Sequence, residues 1–277
     1  MLIFFGIVLG LHRAQTGEFV SKDVSLKGGL LVTIHSDKEL NIDETEKALA
    51  EKLGTSVSIK RLQGLGTASL GYSFTIEPIQ PQTALDAISE VTGMQLAEGS
   101  YTVEEVSSGL GATFWQNTMK AMAVAFVLMG IVVFIYFRKP IPSFAIILSA
   151  IMDIAGTLTV LSLAKVELSI GGVAALLMLV GYSVDTDILL SARVLKRTEG
   201  TVADRVISSL KTGLTMQFTA IAAMLVLWIA SPAETLKQIA LILIIGLLMD
   251  IPSTWIQNVG ILRWYVERKH GGMHGQT

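Results

Sequence analysis

GYSVDTDILLSARVLKR (residues 181–197) carries two aspartates inside an apolar run that ends among arginines and a lysine. An acid at the centre of a bilayer costs on the order of 2.5–3.5 kcal/mol on insertion scales, so acids kept there are expected to face a protein interior. The run has company. Residues 117–137, 142–164, 168–190, 213–231 and 238–262 are each apolar over about the 20 residues that a spanning helix needs. With 51% hydrophobic residues and a mean hydropathy of +0.60, the chain reads as an integral membrane protein. Residues 2–11 are also apolar but cover only about half a span. They lack a basic flank, which argues against a signal peptide. They read as a shortened first transmembrane helix, with Arg13 near the outer surface.

Between the short helix and the long ones the composition changes. Residues 13–112 hold eight basic and fourteen acidic side chains, against a net charge of −2 for the whole chain. So acidic a segment argues against a nucleic-acid partner, which needs a basic footprint. The absence of cysteine excludes disulfides and thiol chemistry. Leu30, Val32 and Ile34 alternate as a strand, and residues 41–53 form an acidic amphipathic helix that stops at Gly54. Strands follow over 56–62 and 68–76. A second helix over 82–91 is closed by Gly93, and a fourth strand covers 95–106. The order β-α-β-β-α-β is that of the ferredoxin-like split motif, in which helices cover one face of a four-stranded sheet. The expected fold is therefore an α-helical integral membrane protein of six transmembrane helices, the first shortened, with one external α+β domain over 13–112. Helices 2–6 occupy 113–265, and a tail follows over 266–277.

Basic residues orient the chain. Arg138 and Lys139, the run 193–197 with Arg205 and Lys211, and Arg263, Arg268 and Lys269 alternate with loops that hold only Lys165 and Glu167 or Glu234 and Lys237. By the positive-inside rule the basic side is cytoplasmic, both termini are inside and the acidic domain is outside. Residues 201–212 read as an amphipathic helix lying on the inner surface.

Ala145, Ser149, Asp153 and Thr157 fall four apart, which lines one face of a helix, and Gly246, Asp250, Thr254 and Asn258 repeat the pattern. Gln217 adds an amide on a further helix. Stripes on separate helices imply a shared polar interior; taken singly, the hydroxyl and amide positions are explained by close helix contact and interhelical hydrogen bonds. For Asp153, Asp185, Asp187 and Asp250 the functional reading prevails: with Lys211 and Arg193 as the only nearby cations, not all four can be ionised, and a carboxyl that gains and loses a proton can serve a relay. Asp185 and Asp187 point about 200° apart on a helix. Asp185 is favoured as the relay acid because Gly181, one turn away, admits a close neighbour. Asp187 is expected to meet water or Arg193. Pro252 removes the hydrogen-bond donor of the Leu248 carbonyl and so permits a bend beside Asp250.

The stretch from Gly181 to Arg197, with Tyr182 and Ser183 at its start, resembles the fourth-helix signature of the SecF family of the Sec protein-export machinery. SLKGGLLVTI (residues 25–34), which contains Gly28 and Gly29, is similar to the segment after that family's first helix, and NVGILRWYVERK (residues 258–269) resembles the end of its archaeal members. The likeness spans nearly the whole chain. It implies an accessory subunit that works with SecD beside a channel of the SecY/SecE type on unfolded secretory polypeptides in the cell membrane, without a cofactor. The pair it implies is related to the resistance-nodulation-division transporters, and in bacterial relatives it uses the proton gradient. Carried over by motif, the GxxxD aspartate falls on Asp185 and the arginine of the next helix on Lys211. Bacterial members have their acid one position later, where this chain has Thr186.

Two other classes compete. An intramembrane aspartyl protease would need a YD and a GxGD sequence, and neither is present. Half of a resistance-nodulation-division exporter of small molecules or lipids would also need a partner for its second half. The external domain offers no catalytic constellation: His12 and His35 are isolated, and Gly28-Gly29 lacks the lysine and hydroxyl of a phosphate loop. Those glycines fit a tight approach of the chain instead. His270 and His274 in the tail do not make a metal site, and no metal is expected. A sheet edge of this domain could capture an extended polypeptide.

Overall fold

The computed structural model describes residues 1–271 apart from 17–18, 37, 64–68, 95, 97–98, 107, 198 and 232. Of the tail expected over 266–277, residues 266–271 continue the last helix, and the rest, with His274, lies outside the described residues, as do parts of the loops before the third and fourth strands. The chain divides into an α/β unit, Lys22–Met119 with Leu168–Ile170, and a helical unit made of Met1–Ser21, Lys120–Glu167 and the chain from Gly171 onward.

In the α/β unit a one-turn helix α2 (Val24–Lys27) precedes β1 (Gly29–Ile34), α3 (Ile42–Leu53), β2 (Val57–Gln63), β3 (Ser69–Ile76), α4 (Pro81–Thr92) and β4 (Tyr101–Val106). The sheet is antiparallel throughout, in the order β2-β3-β1-β4. The register sets Val32 opposite Phe74 and Val103, and Ile59 opposite Phe74. Alternation therefore sends Leu30, Val32, Ile34, Tyr72, Phe74 and Ile76 to one face, where Leu49 of α3 and Ala84 and Ile88 of α4 close the core. The buried Tyr72 hydroxyl accepts the Leu40 N–H at 2.9 Å. Both helices stop where expected: Gly54 and Gly93 adopt the left-handed conformation, with φ of 64° and 63°. The fourth strand begins at Tyr101, later than the alternation suggested, after a turn at Gly99 and Ser100.

Gly28 and Gly29 have φ of 83° and 143°, values that other residues avoid. They turn the chain from α2 into β1, and the backbone there lies against Gly111, where a Cβ would sit 2.6 Å from the Leu26 carbonyl oxygen. A close approach of chain to chain is thus the use of these glycines.

The helical unit holds α1 (Leu2–Thr16), most of α5 (Ser108–Phe137), α6 (Pro140–Leu163), α7 (Ile170–Lys196), α8 (Val202–Ala230), α9 (Glu234–Pro252), a π-helical turn (Ser253–Asn258) and α10 (Val259–Gly271). Among the described residues five spans are long and apolar enough to cross a membrane, with α9, the π turn and α10 counting as one, while α1 is a shorter apolar helix. The surface helix expected at 201–212 is not separate. Thr201 caps α8 in a box with Asp204, and the helix runs without a break to Ala230 because nothing between Lys211 and Gly213 interrupts it. Arg205 donates to the Val194 carbonyl at 2.9 Å and to that of Arg197, and Arg193 donates to the Ser208 carbonyl at 2.6 Å, so the α7–α8 turn is clamped.

Candidate functional site: a buried carboxyl network

Three helices bring polar stripes to one interior. On α6 the stripe is Ser149, Asp153 and Thr157; on α7 it is Ser183, Asp187 and Ser191; on α9 and the π turn it is Asp250, Thr254 and Asn258, with Ser253 beside them. All ten side chains are at most 1% exposed. The spacing of four repeats in each helix, since residues four apart share a face.

Hydroxyls and amides link the acids. Ser183 and Ser253 donate to the two oxygens of Asp153, and Ser149 donates to Ser253 at 3.2 Å. Thr254 Oγ1 stands 2.8 Å from Asp250 Oδ1 and 2.9 Å from Asp187 Oδ1. Asn258 Nδ2 donates to Asp187 Oδ1 at 2.6 Å. From α8, Gln217 donates to Asp250 Oδ2 and its own Oε1 accepts from Trp255 at 3.4 Å. Serine, threonine, asparagine and glutamine surround the three carboxyls, and Asp153 and Asp250 also meet each other directly. Such a chain of exchangeable groups can hold and pass a proton.

Glycine lets these helices meet. A side chain at Gly213 would collide with the Trp255 ring, and one at Gly246 with Leu179. On α8 only Ser209, Gly213 and Gln217 are buried, one narrow stripe at spacing four. Pro252 has no N–H for the Leu248 carbonyl, and the π turn begins directly after it. That wider turn supplies Ser253, Thr254 and Asn258, and π turns are common at functional positions.

Two sequence expectations are corrected. Asp185 is exposed on the outward side of α7, with Met178 and Tyr182 at 46% and 40% exposure nearby. Asp187, expected to meet water or Arg193, lies instead in the network, and Arg193 is engaged by Ser208. The physical reason is the 200° between positions 185 and 187: only one can face in, and Ser183 and Ser191 share the face of Asp187. Gly181 admits no close neighbour, since nothing lies within 4 Å of where its Cβ would be. Lys211, two residues from both Ser209 and Gly213, is exposed and not brought to the acids. Asp153, Asp250, Gln217 and Asn258 are brought together. Ser183, Ser253 and Thr254 complete the set, and Ser183 and Ser191 were detectable by applying to α7 the spacing rule read on the other two helices.

Among the described residues no group of three His, Cys, Asp or Glu side chains is placed to hold a metal ion.

The family model for "Protein export membrane protein SecD/SecF, C-terminal" matches residues 87–268. The chain is 38% identical to the protein-export membrane protein SecF of Pyrococcus furiosus, across 98% of this chain and 90% of that one. It is 40% identical to the SecF of Methanothermobacter thermautotrophicus, across 90% and 85%. Its fold is similar to the crystal structure of SecDF, a translocon-associated membrane protein from Thermus thermophilus, with a TM-score of 0.76 and 19% identity. That match covers 96% of this chain and 37% of the SecDF chain, so the chain spans little more than a third of that protein. A heavy metal efflux pump aligns with a TM-score of 0.50 and 10% identity.

Proposed function

The chain belongs to the SecD/SecF family of protein-export membrane proteins, and from that premise we propose that it is a SecF subunit acting with SecD beside the Sec translocon to promote export of unfolded polypeptides. The observation that carries this reading is the kinship with archaeal SecF along 98% of the chain. Work with a second membrane subunit is supported by Asp185. A carboxyl on the outer face of an apolar helix is costly against lipid and is better accommodated against protein. With α1 counted as a sixth span, the distribution of basic residues favours a cytoplasmic location for both termini and an external α/β unit. There, β2 and β4 form the two edges of the sheet and offer backbone groups to an extended chain.

Coupling to the proton gradient rests on the carboxyl network, in which Asp153, Asp187, Asp250 and Gln217 are the residues in play and Asp185 faces the partner. No step of the reading calls for enzymatic chemistry or a cofactor. The test is export of a secretory reporter in cells depleted of the native chain and complemented with Asp153→Asn, Asp187→Asn, Asp250→Asn or Asp185→Asn, with and without an uncoupler. Network variants are expected to slow export at least tenfold and to abolish its sensitivity to the uncoupler. Parental export in all four, or small-molecule efflux without copurifying SecD, would refute the proposal.

A further inference from the structure

Between α5 and α6 lies a groove of about 490 Å³. That volume falls within the roughly 300–1,000 Å³ of sites that take whole small ligands. Gly130 forms its floor, where a Cβ would sit 3.2 Å from Ile147 Cδ1 of α6, and Phe126, Val127, Phe134 and Ile135 of α5 form its walls with Ile147 opposite. Every side chain that lines it is apolar, and Val127, Phe134 and Ile135 are exposed. A different face of α5 packs on the bundle: Val133 and Phe137 are buried with Ile146 and Ala150 of α6 and Val180 and Val184 of α7.

The groove has the depth of one leaflet. From Phe126 to Phe137 the helix rises about 17 Å, close to the roughly 15 Å of half a bilayer's hydrocarbon core. At its surface end the chain turns through two cations, Arg138 and Lys139. Arg138 is left-handed, with φ of 52°, a conformation that glycine adopts freely and other residues at a cost. Its N–H closes α5 on the Phe134 carbonyl at 2.7 Å. Lys139 precedes α6, which Pro140 opens, and the positive end of the α6 dipole adds to the two charges. Among the described residues neither side chain has an acidic partner, and the sequence holds no acid between Glu105 and the buried Asp153.

We propose that this groove binds an anionic phospholipid, with one hydrocarbon chain lying over Gly130 between Phe126 and Ile135 and the phosphate against Arg138 and Lys139. The methylenes fill space that the protein leaves without partner atoms, and the phosphate meets two cations that the turn holds together. A transmembrane helix is a poorer occupant. Helices of this protein meet at stripes of small or polar residues such as Ser209, Gly213 and Gln217, whereas the groove offers one glycine among bulky side chains and ends near the middle of the span 113–137. The bound lipid ties α5 to α6 on the side that protein leaves open. Lys196 of α7 is not part of the site: its Nζ stands 3.4 Å from the centre of the Tyr136 ring, and Tyr136 lies about 180° from Val127 around α5.

The experiment is native mass spectrometry of the full chain in neutral detergent with phosphatidylglycerol or phosphatidylcholine at equal concentration, with thermal melting followed in parallel. A single retained phosphatidylglycerol is expected, favoured roughly twentyfold over phosphatidylcholine, as two cations at about fivefold each imply. It should also raise the melting temperature. Arg138→Gln is expected to lower retention about fivefold. Val127→Trp, which fills the groove from its exposed side, should lower retention of both lipids, while Lys139→Arg and Lys196→Gln retain lipid as the parent does. Arg138→Gly relieves the left-handed turn, so without lipid it is expected to melt no lower than the parent, yet it should lose most of the rise that phosphatidylglycerol gives. That pairing separates lost binding from lost folding. The proposal is overturned if phosphatidylcholine is retained equally, if Arg138→Gln or Val127→Trp binds like the parent, or if Lys196→Gln loses as much as Arg138→Gln. It is overturned equally if glycerol phosphate alone raises the melting temperature as phosphatidylglycerol does, or if a second copy covers the groove, seen as a lipid-free dimer that Val127→Trp splits.

Discussion

In the α/β unit Leu30, Val32, Tyr72 and Phe74 are buried while Lys60, Glu104 and Glu105 are exposed; in the helical unit Asp153, Asp187 and Asp250 are buried while Val127, Ile131 and Val226 are half or more exposed. The same chain thus contains one region built for water and one built for lipid. In water, burial of apolar surface at roughly 25 cal/mol per Å² assembles the sheet and its helices, and hydrogen bonds mainly satisfy what is left. Between helices surrounded by lipid that driving force is absent, and close contact at glycines together with interhelical hydrogen bonds must choose the neighbours. Gly213 beneath Trp255, Gly246 beneath Leu179 and the carboxyl network are those devices here.

The contrast can be broken by mutation, most severely in the watery unit. Phe74→Ala opens a cavity beneath both helices and is expected to cost about 3–5 kcal/mol. Hydrogen exchange of the β1 and β3 amides in urea should show it, with the helical unit unaffected. Gly213→Leu overfills the α8 contact and is expected to cost about 1–3 kcal/mol. Its melting curve in nanodiscs should drop while strand amides stay protected, and a parental melt would mean that α8 is not held by that stripe. Thr254→Val removes the hydroxyl shared by two acids at nearly constant volume, with an expected cost of about 1–2 kcal/mol. Thr254→Ser should recover most of it, which a simple change of shape would not. At the small end, Glu90→Gln breaks the exposed ion pair with Lys52 and should change stability by about 0.5 kcal/mol or less. A larger loss there would show that surface charge matters more to this domain than its core suggests.

Much of the architecture was readable in advance. Alternation marked β1 to β3, Gly54 and Gly93 marked helix ends, and long apolar runs marked the five spans, because each signal depends on residues a few positions apart. The stripes on α6 and α9 were readable for the same reason. Asp187 was not, although its four-residue partners Ser183 and Ser191 were present; the glycine pattern at 181 drew attention to Asp185, on the opposite side of the helix. The length of α8 was missed because the charged residues of its first turns look like a surface helix until Gly213 is seen against Trp255. The π turn carries no pattern beyond Pro252.

Hydropathy and residue spacing by themselves determined that this chain has a membrane-embedded part with acids in it and an alternating α/β part. Those properties are set by how each side chain partitions between water and an apolar medium. Which aspartates face one another, and which looks outward, was decided only in the tertiary structure. Helix periodicity fixes the angle between two positions on one helix but not its rotation about its own axis, and that rotation is settled by the neighbouring helices it meets.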